Sequence, residues 1–177
     1  MIYLVRHGEA AASWGDHPDP GLSDVGQAQA KMTAERLVAM GARLPITSPM
    51  QRCRETALPF EELTGQAARL EAAVSEIVTP EGVEDRVAWL KSVMASTWPE
   101  TLKAWREATF DAVNALPDQS VVFSHFVAIN AVVSRISGDP RTVVFRPGHG
   151  SITQLERGAD GKLQVAALGE EAATRIL

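Results

Sequence analysis

A single cysteine, Cys53, among 177 residues rules out an intrachain disulfide and any metal site built from several thiolates. An excess of positive charge is missing too. Lysine and arginine total 17 against 22 aspartate and glutamate, for a net charge of −5. A nucleic-acid partner generally needs a basic surface, so none is expected, and attraction for an anion has to be local. No apolar run is long enough to cross a bilayer, so no membrane partner is expected. The chain does not open on a basic segment followed by a long apolar stretch. No signal peptide is therefore expected, and the default compartment is the cytoplasm. Internal repeats and low-complexity tracts are absent. What is present, 45% hydrophobic and 22% charged residues, suits a soluble globular protein. The length fits one domain, residues 1–177, with enough chain to bury a real core.

The short β-branched run at 2–5 predicts a buried strand. Residues 10–22 are rich in small residues, Gly and Pro, and predict a loop. Ser23 is placed to cap a helix running to about Met40, with Ala30, Ala34, Leu37 and Val38 on one face and Gly41 as its stop. A second strand is predicted at 44–47. Ser48-Pro49 then reads as the N-cap and first-turn proline of a helix to about Leu63, ending near Gly65. A short strand at 68–70 and an irregular stretch at 74–82 follow. Helical spacing returns twice, in Val83, Val87, Leu90, Met94 and in Leu102, Trp105, Thr109, Val113, Leu116, with Trp98-Pro99 between. Residues 120–124 form the clearest later strand, and 127–136 read as a buried helix ending near Gly138-Asp139-Pro140. Two or three strands close the chain, with 142–145, 151–155 and 163–168 as the candidates. Alternating strands and helices predict an α/β three-layer sandwich with a mostly parallel central sheet and an antiparallel edge. The helices within about 76–116 are long for a simple crossover and predict a small helical lid.

Arg6-His7-Gly8-Glu9 follows the first strand directly. An arginine supplies a planar fork of donors suited to phosphate. A histidine beside it is a candidate nucleophile near neutral pH. A glycine lets the backbone turn and come close to a ligand. Two other segments repeat the placement: Arg52 in the first helical turn after the second strand, and His125 after the 120–124 strand. Ligands of open parallel sheets bind beyond the carboxyl ends of the strands. Arg6, His7, Arg52 and His125 should therefore converge on one sheet edge as an anion pocket, with the helix N-terminus at Ser48-Pro49 adding N–H groups. Taken singly, Arg6 reads as a strand-end ion pair and His7 as a satisfied buried histidine. Their register with Arg52 and His125 is what points to a site.

These residues resemble a family. Leu4-Val5-Arg6-His7-Gly8-Glu9-Ala10 is similar to the opening signature of the histidine phosphatase superfamily, the phosphoglycerate mutase-like proteins. Leu22-Ser23-Asp24-Val25-Gly26-Gln27-Ala28, Ser48-Pro49-Met50-Gln51-Arg52-Cys53-Arg54-Glu55-Thr56-Ala57 and Val122-Phe123-Ser124-His125 resemble its later segments, in the family's order. The resemblance implies a phosphoglycerate mutase-like fold and attack of His7 on phosphorus to form a phosphohistidine. Arg6, Arg52 and His125 would hold the phosphoryl oxygens, and no metal or other cofactor would be needed. It also implies a carboxylic acid that protonates the leaving oxygen and then activates water. Glu76, in Val74-Ser75-Glu76-Ile77, is the candidate, with Glu81, Glu84 and Asp85 as competitors.

Around this set, Gly8, Ser13 and Trp14 are candidate substrate contacts, the last two from the 10–22 loop. Cys53 stands where the family usually has Ala, and Phe126 where many members have Gly. His149, in Pro147-Gly148-His149-Gly150-Ser151, belongs either to the pocket wall or to a loop, and His17 reads as a surface loop residue. The function implied is a phosphomonoesterase acting on a small-molecule phosphate ester. A phosphoglycerate mutase-type phosphoryl transfer is the alternative, although residues 10–22 contain no Lys or Arg to hold a second anion. A non-catalytic phosphate- or protein-binding module on the same fold is the reading from another class.

Overall fold

A computed structural model describes residues 1–12 and 17–172. Its elements follow the order β1 (Ile2–Arg6), α1 (Asp24–Ala39), β2 (Leu44–Thr47), α2 (Gln51–Thr64), β3 (Arg69–Leu70), a 3-10 turn (Ala72–Val74), α3 (Arg86–Met94), α4 (Glu100–Asn114), β4 (Ser120–Ser124), α5 (Phe126–Ser137), β5 (Ile152–Arg157) and β6 (Leu163–Ala167). The strands form one sheet in the order β3-β2-β4-β1-β5-β6. The pairs β3–β2, β2–β4 and β4–β1 are parallel, whereas β1–β5 and β5–β6 are antiparallel.

Alternation along the central strands builds the three layers. Ile2 and Leu4 of β1 face the same side as Val122 of β4, where Val113 of α4 and Ile129, Val132 and Val133 of α5 cover them. Tyr3 and Val5, with Val121 and Phe123, face the other side, against Ala34 and Leu37 of α1 and Cys53, Ala57 and Phe60 of α2. Both faces of the middle strands are buried, which explains their near-continuous apolar sequence. Each fully buried Leu, Ile or Val contributes roughly 1.5–3 kcal/mol of transfer free energy.

Local signals act as expected at most boundaries. Ser23 caps α1, its hydroxyl accepting from Gly26 N–H at 3.0 Å. Gly65 and Gly138 end α2 and α5 in the left-handed conformation, with φ of 69° and 68°. Two expectations fail. The helix after β2 starts at Gln51 rather than at Pro49, with Met50 as its N-cap; the Ser48 hydroxyl accepts from Met50 N–H at 3.3 Å and is shared with His125, at 2.9 Å. Asp19 Oδ1 instead accepts the Gln51 N–H at 2.9 Å. The strand predicted at 142–145 does not form either. Val144 and Phe145 donate their N–H groups to Asn130 Oδ1 of α5, at 2.8 and 3.2 Å, so these groups are spent on a helix rather than a ladder.

Of the two helices expected to form a lid, α4 lies in the α5 layer, with Val113 in the main core. The shorter α3 packs Leu90 and Val93 with Trp98 and Leu102 onto Val127 and Ala131. Only α3 reaches the region beyond the strand ends.

Candidate active site

Backbone hydrogen bonds bring three strand ends together. His7 N–H donates to Ser124 O at 3.0 Å, and Ser48 N–H donates to Phe123 O at 3.0 Å. The residues that follow β1, β2 and β4 therefore leave the sheet side by side. The loop after β1 is then pressed onto α1. A Cβ on Gly8 would lie 2.5 Å from Gly26 O, and one on Gly26 would clash with Glu9 O. The close approach that Gly8 permits is thus to a helix backbone; its N–H donates to Thr56 Oγ1 at 3.0 Å.

The four residues expected to converge do so. Arg52 Nε donates to His7 Nε2 at 3.2 Å, and Arg52 Nη2 to His125 Nδ1 at 3.1 Å. The two imidazoles meet edge to face with centroids 5.3 Å apart. Arginine only donates, so these contacts assign the tautomers. His7 carries its proton on Nδ1, which donates to Gly8 O at 2.7 Å, and Nε2 keeps its lone pair. His125 accepts at Nδ1 and donates from Nε2 to Ser48 Oγ. Arg6 donates Nη1 to Pro147 O at 2.8 Å and Nη2 to His149 Nε2 at 2.9 Å. Its guanidinium lies 5.2 Å from the centre of the Phe126 ring. Arg6 Nε is buried and has no hydrogen-bond partner among the described residues.

Glu76 is buried, 8% exposed, and is held by the start of α5. Oε2 accepts from Val127 N–H at 3.0 Å and Oε1 from Ile77 N–H at 3.1 Å. Hydroxyls pin its segment. Ser124 Oγ donates to Val74 O at 2.7 Å, and Ser48 Oγ to Ser75 Oγ at 3.3 Å.

Burial sets the protonation states. It pushes His7 and His125 well below the ordinary histidine range, and Arg52 and Arg6 add to the effect; the Gly8 carbonyl opposes it at His7. Both imidazoles are neutral at pH 7. Arg6 is lowered to about 10, by burial first and by Arg52, with Glu76 acting the other way, and it stays charged. Burial also lowers His149 to about 4. Glu76 moves up, because desolvation outweighs its backbone donors and Arg52. Cys53 lies 3.4 Å from His125 Nε2, and burial pushes its thiol up, which makes it packing rather than a nucleophile.

Two cavities meet at Arg6 and His7. One, about 200 Å³, is also lined by Arg52, His149, His17 and Arg86. The other, about 350 Å³, is lined by Glu76 with Leu90, Met94, Phe126 and Arg146. Glu81, Glu84 and Asp85 line neither. Ser13 and Trp14 lie outside the described residues. His149 belongs to the pocket wall, its ring 5.8 Å from that of His7. His17 is exposed yet lines the first cavity. Sequence reasoning did not single out Asp19, whose Oδ1 lies 3.9 Å from Arg52 Nη1, nor the hydroxyls of Ser48, Thr56 and Ser124. Position at a strand end was the available signal for Ser48 and Ser124. Among the described residues, no group of three or more His, Cys, Asp or Glu stands in a metal-binding arrangement.

The site is therefore cationic, with one buried and one half-buried guanidinium group, two neutral imidazoles and a carboxyl group biased towards its protonated form. Such a set can bind a phosphoryl group, offer it an imidazole lone pair and supply a proton.

Comparison with known proteins gives the family and the fold. The family model for the histidine phosphatase superfamily (branch 1) matches residues 2–170. The probable phosphoglycerate mutase GpmB of Erwinia tasmaniensis is 28% identical over 164 residues, covering 79% of this chain and 76% of that protein. Among solved structures, the fold is similar to native mycobacterial glucosyl-3-phosphoglycerate phosphatase, with a TM-score of 0.77 and 20% identity over 93% of this chain and 96% of that one. It is also similar to phosphoserine phosphatase from Entamoeba histolytica in complex with 3-phosphoglyceric acid, with a TM-score of 0.75 and 19% identity over 96% of each chain.

Proposed function

Because the chain belongs to the histidine phosphatase superfamily, we propose that it hydrolyses a phosphate monoester through a phosphohistidine on His7, without a metal. The observation that carries this reading is the forced tautomer of His7. The Gly8 carbonyl holds the proton on Nδ1, so the lone pair is on Nε2; Arg52 Nε–H occupies it in this structure, and a phosphoryl group that takes the Arg52 donors frees it to attack. Nε2 attacks phosphorus, the N–P bond forms, and the P–O bond to the alcohol breaks. Glu76 gives its proton to the departing oxygen. A water oxygen then attacks phosphorus, the N–P bond breaks, and Glu76 takes the water proton. The sum is monoester plus water to alcohol plus inorganic phosphate. Arg6, Arg52 and His125 bind the phosphoryl oxygens and stabilise the charge spread over them in each transition state. The uncommitted Nε of Arg6 supports that role.

Mutase-type transfer would use the same first step and pass the phosphoryl group to a second hydroxyl instead of water. The names of the GpmB relatives favour it, and isomerised ester in place of inorganic phosphate would establish it. The test of the main reading is to incubate the protein with an aryl phosphate in the presence of a chelator, quench early and map covalent phosphate by mass spectrometry. Phosphate on His7 with turnover unaffected by chelation is the expected result. No label and no turnover across a panel of phosphate esters would replace the enzyme with a binding module.

A further inference from the structure

The two cavities that share Arg6 and His7 are chemically unlike, and their arrangement assigns one end of the substrate to each. Arg52 lines only the smaller cavity, with His149 and His17. Glu76 lines only the larger one. On the reading above, phosphate lies against Arg52 and the departing oxygen faces Glu76. The alcohol part must then extend into the larger cavity.

That cavity has an apolar wall. Leu90 and Met94 come from α3, and Phe126 and Val127 from the first turn of α5. Glu76 and His7 are buried at its base. Both Glu76 oxygens are already engaged by backbone N–H groups. A polyhydroxylated alcohol would lose water there and find few partners on the apolar wall, which is costly. An aromatic or aliphatic one would be favoured. Arg146 is exposed at the rim. Its backbone N–H donates to Glu171 Oε1 at 2.9 Å, but among the described residues no carboxylate pairs with its guanidinium. The volume, about 350 Å³, lies at the small end of the roughly 300–1,000 Å³ typical of ligand pockets and suits a single ring.

We propose that this cavity is the leaving-group subsite, and that it selects monoesters whose alcohol part is an apolar ring or short chain, preferably with a carboxylate at its far end against Arg146. The proposal rests on the phosphatase reading for its orientation, but its test does not need turnover. Methylphosphonate, benzylphosphonate and 4-carboxybenzylphosphonate resist hydrolysis, and their binding is measured by calorimetry. Benzylphosphonate is expected to bind at least tenfold tighter than methylphosphonate, and the carboxylate to add a further several-fold. Met94→Ser, at a half-buried position, should reduce the benzyl advantage and leave methylphosphonate unchanged. Arg146→Gln should remove only the carboxylate increment. Equal affinity for the methyl and benzyl probes would overturn the subsite, as would an unaltered ratio in a folded Met94→Ser protein. Phenyl phosphate distinguishes the two readings. Turnover with equal probe affinities refutes the subsite alone. A benzyl preference with no turnover of phenyl phosphate or of the ester panel leaves the subsite standing and refutes the hydrolase.

Discussion

Glu76→Gln separates the chemical role of this residue from its structural one. Both carboxyl oxygens accept a backbone N–H, from Ile77 and from Val127. Glutamine offers one oxygen and one NH₂, so one of those donors would face another donor. An unsatisfied buried donor costs about 1–3 kcal/mol. The charge works in the opposite direction. Burial raises the Glu76 pKa, so stability is complete at pH values where both folded and unfolded chains are protonated. It falls as pH climbs past the ordinary carboxylate range, where the unfolded chain ionises first, at up to about 1.4 kcal/mol per pH unit. The decline ends at the raised native pKa. The variant lacks that penalty. Urea unfolding should show it less stable than wild type by about 1–3 kcal/mol at pH 4, with the gap narrowing or reversing towards pH 8. Kinetically, loss of a general acid and base costs about 10²–10⁴ in rate. A poor alkyl leaving group needs the acid, whereas nitrophenolate scarcely does. Stopped-flow measurements on 4-nitrophenyl phosphate should therefore show a surviving burst of nitrophenolate followed by slowed turnover, because water attack still lacks its base. Equal loss of burst and turnover, for this ester and for an alkyl phosphate alike, would refute the acid–base role and leave Glu76 a structural residue.

His149→Phe removes the acceptor of Arg6 Nη2; the inhibition constant of inorganic phosphate should rise about tenfold, the cost of one charged hydrogen bond, and His149→Gln should restore most of it. Gly26→Ala would place a Cβ against Glu9 O; despite a gain of about 1 kcal/mol in helix propensity, thermal unfolding should show a net loss of about 1–3 kcal/mol. His7 and His125 are held neutral by burial, with pKa values pushed well below the ordinary 6.5. Stability is therefore complete above that value and falls as pH drops through it, by up to about 1.4 kcal/mol per unit for each histidine. His125→Asn should give a shallower slope between pH 6 and 5 in urea titrations, and an unchanged slope would show that His125 is already charged in the native protein.

The sheet and most helices were legible because local signals and burial agree. The run at 2–5 is apolar on both faces since both faces are covered, and Ser23, Gly65 and Gly138 each satisfy a helix end. The 142–145 segment was misleading because its β-branched and aromatic residues suit a strand, while the partner that takes its N–H groups, Asn130, lies on a helix more than ten residues earlier. The start of α2 departs from its local signal for a related reason. A serine before a proline is a good local cap, but Ser48 shares its hydroxyl between Met50 N–H and His125, 77 residues away, and Asp19, 32 residues earlier, takes the Gln51 N–H. Local propensity yields where a side chain has a stronger distant partner.

The same distinction explains which half of the site could be read. Arg6, His7, Arg52 and His125 are chemically conspicuous types in a parallel sheet whose strand ends say where they go. Leu90 and Met94 are ordinary apolar residues at helical spacing, indistinguishable in sequence from core, and Phe126 stands out only because many members of the family have Gly there. They also belong to a different packing unit. The phosphoryl-binding residues leave strands anchored in the two main cores, and Ser48, Thr56 and Ser124 tie the intervening loops together. The apolar wall sits mainly on α3 and the start of α5, in a separate cluster with Trp98 and Leu102. Coupling between substitutions falls when they share no partners. Replacements at Leu90 and Met94 should therefore alter which esters bind while sparing the first chemical step. Phe126 is the exception, because its ring lies against the Arg6 guanidinium and so links the leaving-group wall to the phosphate clamp.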